Sequence, residues 1–190
     1  MGKPAMVDEE PSPFEPFETA RLKLRCVSLR DALPIAQLMT GPVSRWVANW
    51  PCPFSEKMAV ERIRATRRLG IEGDALPLAI THKTHDELIG WIALVRDEDE
   101  RTRASLGYWL GEAWQGRGYM KEALTTVIRE GFRRLDCATI EAAAQPENAA
   151  SIALMRACGM REIGVRSVFA PARNRDEPCV VFEIEHVHCT

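Results

Sequence analysis

Short apolar runs, several of which alternate with polar residues, predict β-strands along the chain. A period of two residues is typical of an extended strand that turns one face to the core. The stretches are RLKLRCVSL (21–29), LPLAITHK (76–83), ELIGWIALV (87–95), ASLGYWLG (104–111), ATIEAAAQ (138–145) and CVVFEIEH (179–186). The second and third stretches flank a short polar turn, THDE, and therefore predict a β-hairpin.

Apolar residues spaced three and four apart predict helices between these strands. The clearest stripe begins at Met120 and continues at positions 123, 124, 127, 128, 132 and 135, as in a helix packed on a sheet. Three further helices are indicated by a residue that can cap the N-terminus and a later glycine that can end the helix. These pairs are Asp31 with Gly41-Pro42, Ser55 with Gly70, and Asn148 with Gly159.

The order of these elements, β-α-α-β-β-β-α-β-α-β, predicts a mixed α/β fold. A doubly wound parallel sheet needs strands and helices in regular alternation, whereas three strands follow one another here. We therefore expect one mixed sheet with helices packed on it. Residues 1–16 are rich in proline and acidic residues, which predicts a flexible N-terminal arm before a single domain at 17–190.

Charge and hydropathy exclude several classes of protein. The net charge is −2 and the sequence pI is about 6.1, so the basic excess of duplex nucleic-acid binders is missing. No apolar run approaches the roughly 20 residues of a membrane helix, and the first residues lack the apolar region of a secretory signal. We expect a cytoplasmic protein that binds neither nucleic acid nor membrane, as a monomer or a homodimer.

The six cysteines favour reduced thiols over a metal site or a disulfide framework. None of them forms a Cys-x-x-Cys pair, and several lie within apolar patterns. The ending His186-Val-His188-Cys189 has metal-ligating side chains but no second cluster elsewhere. We therefore expect no metal.

The stretch WQGRGYMKEAL, residues 114–124, places two glycines and an arginine directly before the strongest helix. The first turn of a helix has amides without partners and a partial positive charge, which favour phosphate. Gly116 and Gly118 allow positive φ and close approach of a ligand to the backbone, and Arg117 adds a guanidinium suited to phosphate. The stretch therefore predicts a diphosphate site.

Two other phosphate loops do not match. A dinucleotide fingerprint needs a third glycine where Lys121 stands, and a P-loop needs Lys-Ser/Thr where Arg117-Gly118 follows. Instead, residues Gln115 to Met120 resemble the Gln/Arg-x-x-Gly-x-Gly/Ala signature of the GNAT superfamily of acyl-CoA N-acyltransferases.

The resemblance extends over residues 17–186 and points to the ribosomal-protein N-terminal acetyltransferase branch. LGYWLGEAWQGRGYMKEAL (106–124) is similar to the strand-loop-helix motif of this branch, and QPENAASIALMRACGM (145–160) to its Asn-x-x-Ser motif. ETARLKLR (18–25) and IGWIALV (89–95) fit as well. The resemblance implies the GNAT fold, a mostly antiparallel sheet with splayed central strands and flanking helices.

The same resemblance implies direct acetyl transfer in a ternary complex. Acetyl-CoA would be the co-substrate, without a metal, and the acceptor a primary amine of a protein N-terminus or a small molecule. The pantetheine arm would lie between YWL (108–110) and IEAAA (140–144). The residues expected to bind acetyl-CoA are Leu110, Gln115, Gly116, Arg117, Gly118, Tyr119, Met120 and Asn148, with 116–120 at the diphosphate and Asn148 at the pantetheine arm.

Two residues are expected to take part in the chemistry. Backbone N–H groups near Leu110 would stabilise the oxyanion of the tetrahedral intermediate, and the resemblance implies that Ser151 donates a proton to the leaving thiolate. The alternative for Ser151 is a cap or packing role in its helix.

The chain departs from the family pattern at two places. Met120 stands where the signature prefers glycine or alanine, and we expect its side chain to face the core. The branch often has a glutamate on the strand after the Asn-x-x-Ser helix, whereas residues 165–170 contain none. The general base therefore stays open.

Other polar and aromatic residues have both a functional and a structural interpretation. Glu141 is a candidate base or a salt-bridged glutamate. His82 and His85 could form a proton relay, or they could be exposed turn residues. The basic run RIRATRRL (62–69) could bind an acidic substrate, or it could be the solvated face of a helix. Aromatic candidates for the acceptor pocket, or for the core, are Trp46, Trp50 and Phe54.

Two rival functions remain at this point. A non-catalytic acyl-CoA sensor would bind the same ligand without transferring its acetyl group. A nucleotide phosphotransferase is disfavoured because the P-loop match fails.

Overall fold

The computed structural model of the chain describes residues 11–186. The strands are β1 (Phe17–Glu18), β2 (Leu22–Cys26), β3 (Ala75–His82), β4 (Glu87–Arg96), β5 (Arg103–Leu110), β6 (Thr139–Ala144), β7 (Arg161–Ala170) and β8 (Arg175–Glu185). The helices are α1 (Ala32–Leu38), α2 (Gly41–Ser44), α3 (Glu56–Glu72), α4 (Tyr119–Leu135) and α5 (Ala149–Ala157). Two 3-10 turns, Leu29–Asp31 and Glu112–Trp114, precede α1 and α4.

All eight strands belong to one sheet, in the order β1-β2-β3-β4-β5-β6-β8-β7. Every neighbouring pair is antiparallel except β5 and β6, which run parallel. The predicted hairpin is present as β3 and β4. The mostly antiparallel, mixed sheet with helices packed on it confirms the predicted fold class.

The sheet has an apolar cluster on each face because successive strand residues point to opposite sides. On β3, Leu78 joins the cluster that includes α4 and α5, whereas Ala79 joins the cluster that includes α1 and α3. The predicted apolar stripe of α4 is buried, and Leu124 and Val127 have no exposed surface. Full burial of such side chains stabilises the fold by about 2 kcal/mol each.

Two of the three predicted caps are confirmed. The Ser55 hydroxyl accepts a hydrogen bond from the Met58 N–H at 3.2 Å, and the Asn148 side chain accepts one from the Ser151 N–H at 3.2 Å. Asp31 precedes α1 but does not cap it. Its buried carboxylate instead accepts hydrogen bonds from the Arg25 guanidinium and the Ser28 N–H.

Two predicted helix ends are wrong. Gly70 lies inside α3, where a Cβ would come within 3.2 Å of the Pro77 ring, and Gly73, at φ 80°, ends the helix. Gly41 and Pro42 begin α2 instead of ending α1, which stops at Leu38. Proline is well placed in a first helical turn, because no intrahelical bond needs its missing amide hydrogen.

The strand β7 was not predicted. It pairs with β8 at the edge of the sheet, and most of its residues are exposed on both faces. Without a buried face it carries no alternating pattern, and its extended conformation depends on pairing with β8.

The ends of the chain lie partly outside the described residues. These include residues 1–10 of the predicted arm, and His188 and Cys189 of the C-terminal motif. Phe14 stacks on Phe17 at a centroid distance of 6.0 Å, and the arm boundary at residue 16 stays a prediction. Within residues 11–186 the cysteines are free thiols, no helix could cross a membrane, and no metal-binding group of His, Cys, Asp or Glu occurs.

Candidate functional site

A cleft opens where the parallel strands β5 and β6 separate. They pair only through Arg103↔Thr139, Ala104↔Ile140 and Ser105↔Glu141. Beyond these pairs, β5 continues beside β4 to Leu110, and β6 continues beside β8 to Ala144. The facing backbone groups of residues 106–110 and 142–144 therefore do not bond each other and need other partners.

The Leu110 amide points into this cleft. The Gly111 N–H bonds the Ile89 carbonyl of β4 at 3.0 Å. Because successive strand residues direct their backbone groups to opposite sides, those of Leu110 face the side that β6 has left. The Leu110 carbonyl accepts a hydrogen bond there from the Gln115 side-chain amide at 2.9 Å. The Leu110 N–H is thus directed at the cleft, as the oxyanion role requires.

The glycine turn has the backbone conformation expected of an anion site. Gly116 and Gly118 have φ of 72° and 77°, a region that glycine enters without strain. Gly118 precedes the first helical residue of α4, so the amides that follow it lack intrahelical partners. Residues 116–118 are exposed, whereas the Met120 side chain is 8% exposed and packs in the core, as predicted.

The hydroxyl groups of Ser151 and Tyr108 lie 2.7 Å apart. Asn148 is the N-cap of α5 and bonds the Ser151 N–H, so the Ser151 hydroxyl does not serve as the cap. Burial raises the pKa of Tyr108 to about 12, and the hydrogen bond with Ser151 offsets only part of that rise. Tyr108 is therefore a neutral hydroxyl that can supply a proton to Ser151.

Tyr108 is a candidate site residue that was not predicted from the sequence. The signal available was its position on the strand that lines the cleft, on the same face as Leu110 and two residues before it. Its partner could not be identified, because Ser151 is 43 positions further along the chain.

A small cavity of about 60 Å³ lies at the end of β6, beside the cleft. Ala143, Ala144 and Gln145 line one side of it, and the hairpin of β7 and β8 lines the other with Glu177 and Cys179. Its lining on β6 begins two residues beyond Glu141, where the pairing of β6 with β5 ends. It is therefore a candidate acceptor site.

Glu177 is charged but has no capacity left to act as a base. Its carboxylate accepts hydrogen bonds from Arg173 at 2.7 Å, Arg175 at 2.8 Å and Gln145 at 2.5 Å. The Arg173 guanidinium, opposed by burial, lowers the Glu177 pKa to about 2. Arg173 also bonds the Ser44 carbonyl at 3.1 Å, so this cluster holds the segment after α2 against the cavity.

The predicted aromatic group divides between core and cavity. Trp50 and Phe54 are buried, and Trp50 packs edge-on against Trp91 and Trp109 at 5.3 and 5.2 Å. Trp46 alone of the three candidates lines the cavity.

Two further candidates have structural roles. Glu141 is buried and ion-paired with Arg103 and Arg166, which favours the salt-bridge interpretation. The basic run is not uniformly solvated, because Arg67 is buried and donates to the Val27 carbonyl at 2.7 Å.

The two histidines stack on each other, and His82 lies beside aromatic residues that flank the glycine turn. The His82 ring is 5.7 Å from that of His85 and 5.7 Å from that of Tyr119, and 6.0 Å from that of Trp114. His82 thus contributes to aromatic packing around the start of α4.

Comparisons with known proteins identify similar acetyltransferases. The acetyltransferase (GNAT) domain model matches residues 21–161. The uncharacterized N-acetyltransferase p20 of Bacillus licheniformis is 33% identical over 163 residues, 85% of this chain and 91% of p20.

Solved structures are similar over nearly the whole chain. A candidate ribosomal-protein-serine acetyltransferase from Vibrio cholerae has a TM-score of 0.77 and 29% identity, covering 93% of this chain and 100% of its own. Mycobacterium smegmatis RimJ in complex with a CoA-disulfide has a TM-score of 0.79 and 21% identity, covering 91% and 88%. At 21% identity, the similarity to RimJ is one of fold alone.

Proposed function

The chain belongs to the GNAT acetyltransferase family and is an N-acetyltransferase, and we propose that it transfers acetyl from acetyl-CoA directly to the α-amine of a protein N-terminus. The observation that carries this proposal is the cleft between β5 and β6, which ends beside the glycine turn. The CoA-disulfide in RimJ supports acetyl-CoA as the co-substrate, and the Vibrio cholerae relative supports a protein acceptor. A small-molecule amine is the alternative acceptor.

The co-substrate would lie along the cleft with its diphosphate at the glycine turn. The amides from Gly116 to Met120 are placed to bind the diphosphate oxygens, and Arg117 adds a positive charge. The pantetheine amides would bond the free backbone groups of β5 and β6. The side-chain NH₂ of Asn148 has a donor available for the same arm, because the N-cap bond uses only its oxygen.

Two groups would assist the reaction of the thioester. As the amine attacks the carbonyl carbon, the Leu110 N–H stabilises the negative charge that develops on the carbonyl oxygen. The C–S bond then breaks and the sulfur leaves as a thiolate. Ser151 gives it a proton and recovers one from the Tyr108 hydroxyl at 2.7 Å, and Tyr108 regains its proton from solvent.

Water would take the proton from the attacking amine. Residues 165–170 lack the glutamate of related enzymes, and Glu177, which does line the cavity, is held by Arg173, Arg175 and Gln145. The amine must therefore react from its neutral form, with its proton lost to solvent or to an ordered water.

The start of the family match at residue 21 supports one N-acetyltransferase domain at 17–190, after an N-terminal arm at 1–16.

The test is release of free thiol from acetyl-CoA in the presence of peptides with free N-termini. Peptides blocked by N-terminal acetylation serve as the matched control. We expect thiol release only with the free peptides, at one acetylated amine per thiol. A sensor would bind acetyl-CoA in calorimetry and release no thiol with peptides or with small amines.

A further inference from the structure

Arg21 connects the start of β2 to the glycine turn. One terminal nitrogen of its guanidinium donates to the Arg117 carbonyl at 3.0 Å, and its Nε donates to the Glu122 carboxylate at 2.7 Å. The guanidinium also lies over the Tyr119 ring, 4.3 Å from its centroid. A single side chain thus contacts the turn before α4 and the first residues of the helix.

The contact with the Arg117 carbonyl determines where the next amide points. In a trans peptide the C=O and N–H of one plane point in opposite directions. Because Arg117 and Gly118 share such a plane, the bond from Arg21 directs the Gly118 N–H away from Arg21. Within residues 11–186 this N–H bonds no backbone acceptor, so it is presented to a ligand.

Glu122 holds Arg21 in this position. Its carboxylate also accepts hydrogen bonds from the Arg21 N–H at 2.7 Å and the Thr19 hydroxyl at 2.5 Å. Burial acts to raise the Glu122 pKa, but these hydrogen bonds and the Arg21 charge outweigh it and lower the pKa. The carboxylate is therefore ionised and saturated with donors.

An ionised glutamate in the first turn of α4 repels an anion bound at that turn if it acts by charge alone. The same glutamate favours binding if its main effect is to orient Arg21. We propose that Arg21 is a positioning residue for the co-substrate, which orients the Arg117–Gly118 peptide for the diphosphate, and that Glu122 anchors it. This inference rests on the proposed acetyl-CoA function.

The substitution that separates the two effects is Glu122→Gln. The glutamine loses the negative charge and puts an NH₂ donor against the Arg21 Nε. In calorimetry with CoA, we expect the dissociation constant to rise about fivefold in both Glu122→Gln and Arg21→Gln. The acetyl-CoA KM should rise by the same factor, while kcat at saturation falls less than twofold. Tighter or unchanged binding in Glu122→Gln overturns the proposal.

Lys23→Gln is the matched control, because it removes one positive charge from β2, two residues after Arg21, without touching the turn. Its CoA affinity should equal that of the unsubstituted chain. The double variant Arg21→Gln with Glu122→Gln should bind CoA no more weakly than either single variant, since both substitutions act through the orientation of the same Arg117–Gly118 peptide. If Arg21→Gln does not fold, Arg21→Lys replaces it, because lysine lacks the fork to reach both partners and should weaken CoA binding too.

The outcomes also separate this inference from the proposed function. If the unsubstituted chain fails to bind CoA, the proposed function fails. If it binds CoA, and both Arg21→Gln and Glu122→Gln bind it equally well, only the positioning role is wrong.

Discussion

The Tyr108 hydroxyl lies 2.7 Å from the Ser151 hydroxyl and joins β5 to the first turn of α5. Asn148 caps that helix, which leaves the Ser151 hydroxyl free to bond Tyr108. With the pKa of Tyr108 raised to about 12 by burial, the pair holds its protons throughout the physiological range. In the proposed reaction these two donors in series would serve the leaving thiolate.

We expect Ser151→Ala to lower kcat by about tenfold or more, because the thiolate loses its nearest proton donor. The acetyl-CoA dissociation constant should change less than kcat. Steady-state kinetics and calorimetry on the same preparation measure the two effects. A rise in the dissociation constant with kcat unchanged would reduce Ser151 to a packing role.

Tyr108→Phe should lower kcat in the same direction, since it removes the group that returns a proton to Ser151. If the two hydroxyls act as a unit, the double variant Tyr108→Phe with Ser151→Ala should be about as slow as the slower single variant. A double-mutant cycle on kcat measures this coupling. Independent, multiplicative losses would show that the 2.7 Å contact has no part in turnover.

Gly118→Asp should weaken CoA binding by about tenfold or more, because it places a carboxylate beside the diphosphate. Gly118→Asn is the matched control. Asparagine has nearly the same shape and tolerates the positive φ of 77° at this position, but it is neutral. Calorimetry with CoA should show the Asn variant binding much more tightly than the Asp variant. Equal affinities would place the diphosphate elsewhere.

The pH dependence of kcat/KM should follow the pKa of the acceptor amine. Glu177 is ionised well above its pKa of about 2 and takes no further proton at working pH. The rate should therefore rise with pH as the amine becomes neutral and level off above its own pKa, about 8 for a peptide α-amine. A peptide whose α-amine has a lower pKa should move the inflection down by the same amount. An inflection that stays fixed when the acceptor changes would indicate a base on the enzyme.

Glu177→Gln should destabilise the fold by about 2 kcal/mol at neutral pH, because it leaves the Arg173 guanidinium without its carboxylate. The folded-state pKa of about 2 lies below the ordinary 4.5, so this stability is present above about pH 4.5 and is lost as the pH falls towards 2. Urea unfolding at several pH values measures it. The exposed Glu61→Gln variant is the control and should show no such loss at neutral pH. A Glu177→Gln deficit that persists at pH 2 would contradict the charge-based explanation.

The positions that the sequence failed to assign are those whose structure depends on packing or strand pairing that the local pattern does not show. Arg67 lies in a run of basic residues typical of a solvated helix face, yet it is buried against Val27, 40 positions away. Gly70 is a residue type typical of a helix end, but α3 continues to Glu72, and a Cβ at Gly70 would come within 3.2 Å of the Pro77 ring. The edge strand β7 lacks a periodic pattern, and its pairing with β8 makes it a strand.

The sequence by itself determined the glycine turn, the helix that follows it and the Asn148 cap. Each depends on residues within about one helical turn of one another, since φ preference, apolar periodicity and capping are local properties. Only the tertiary structure decided that Tyr108 meets Ser151 and that Arg21 reaches the Arg117 carbonyl, 96 positions away. Such contacts follow from the packing of the whole sheet, which no local pattern encodes.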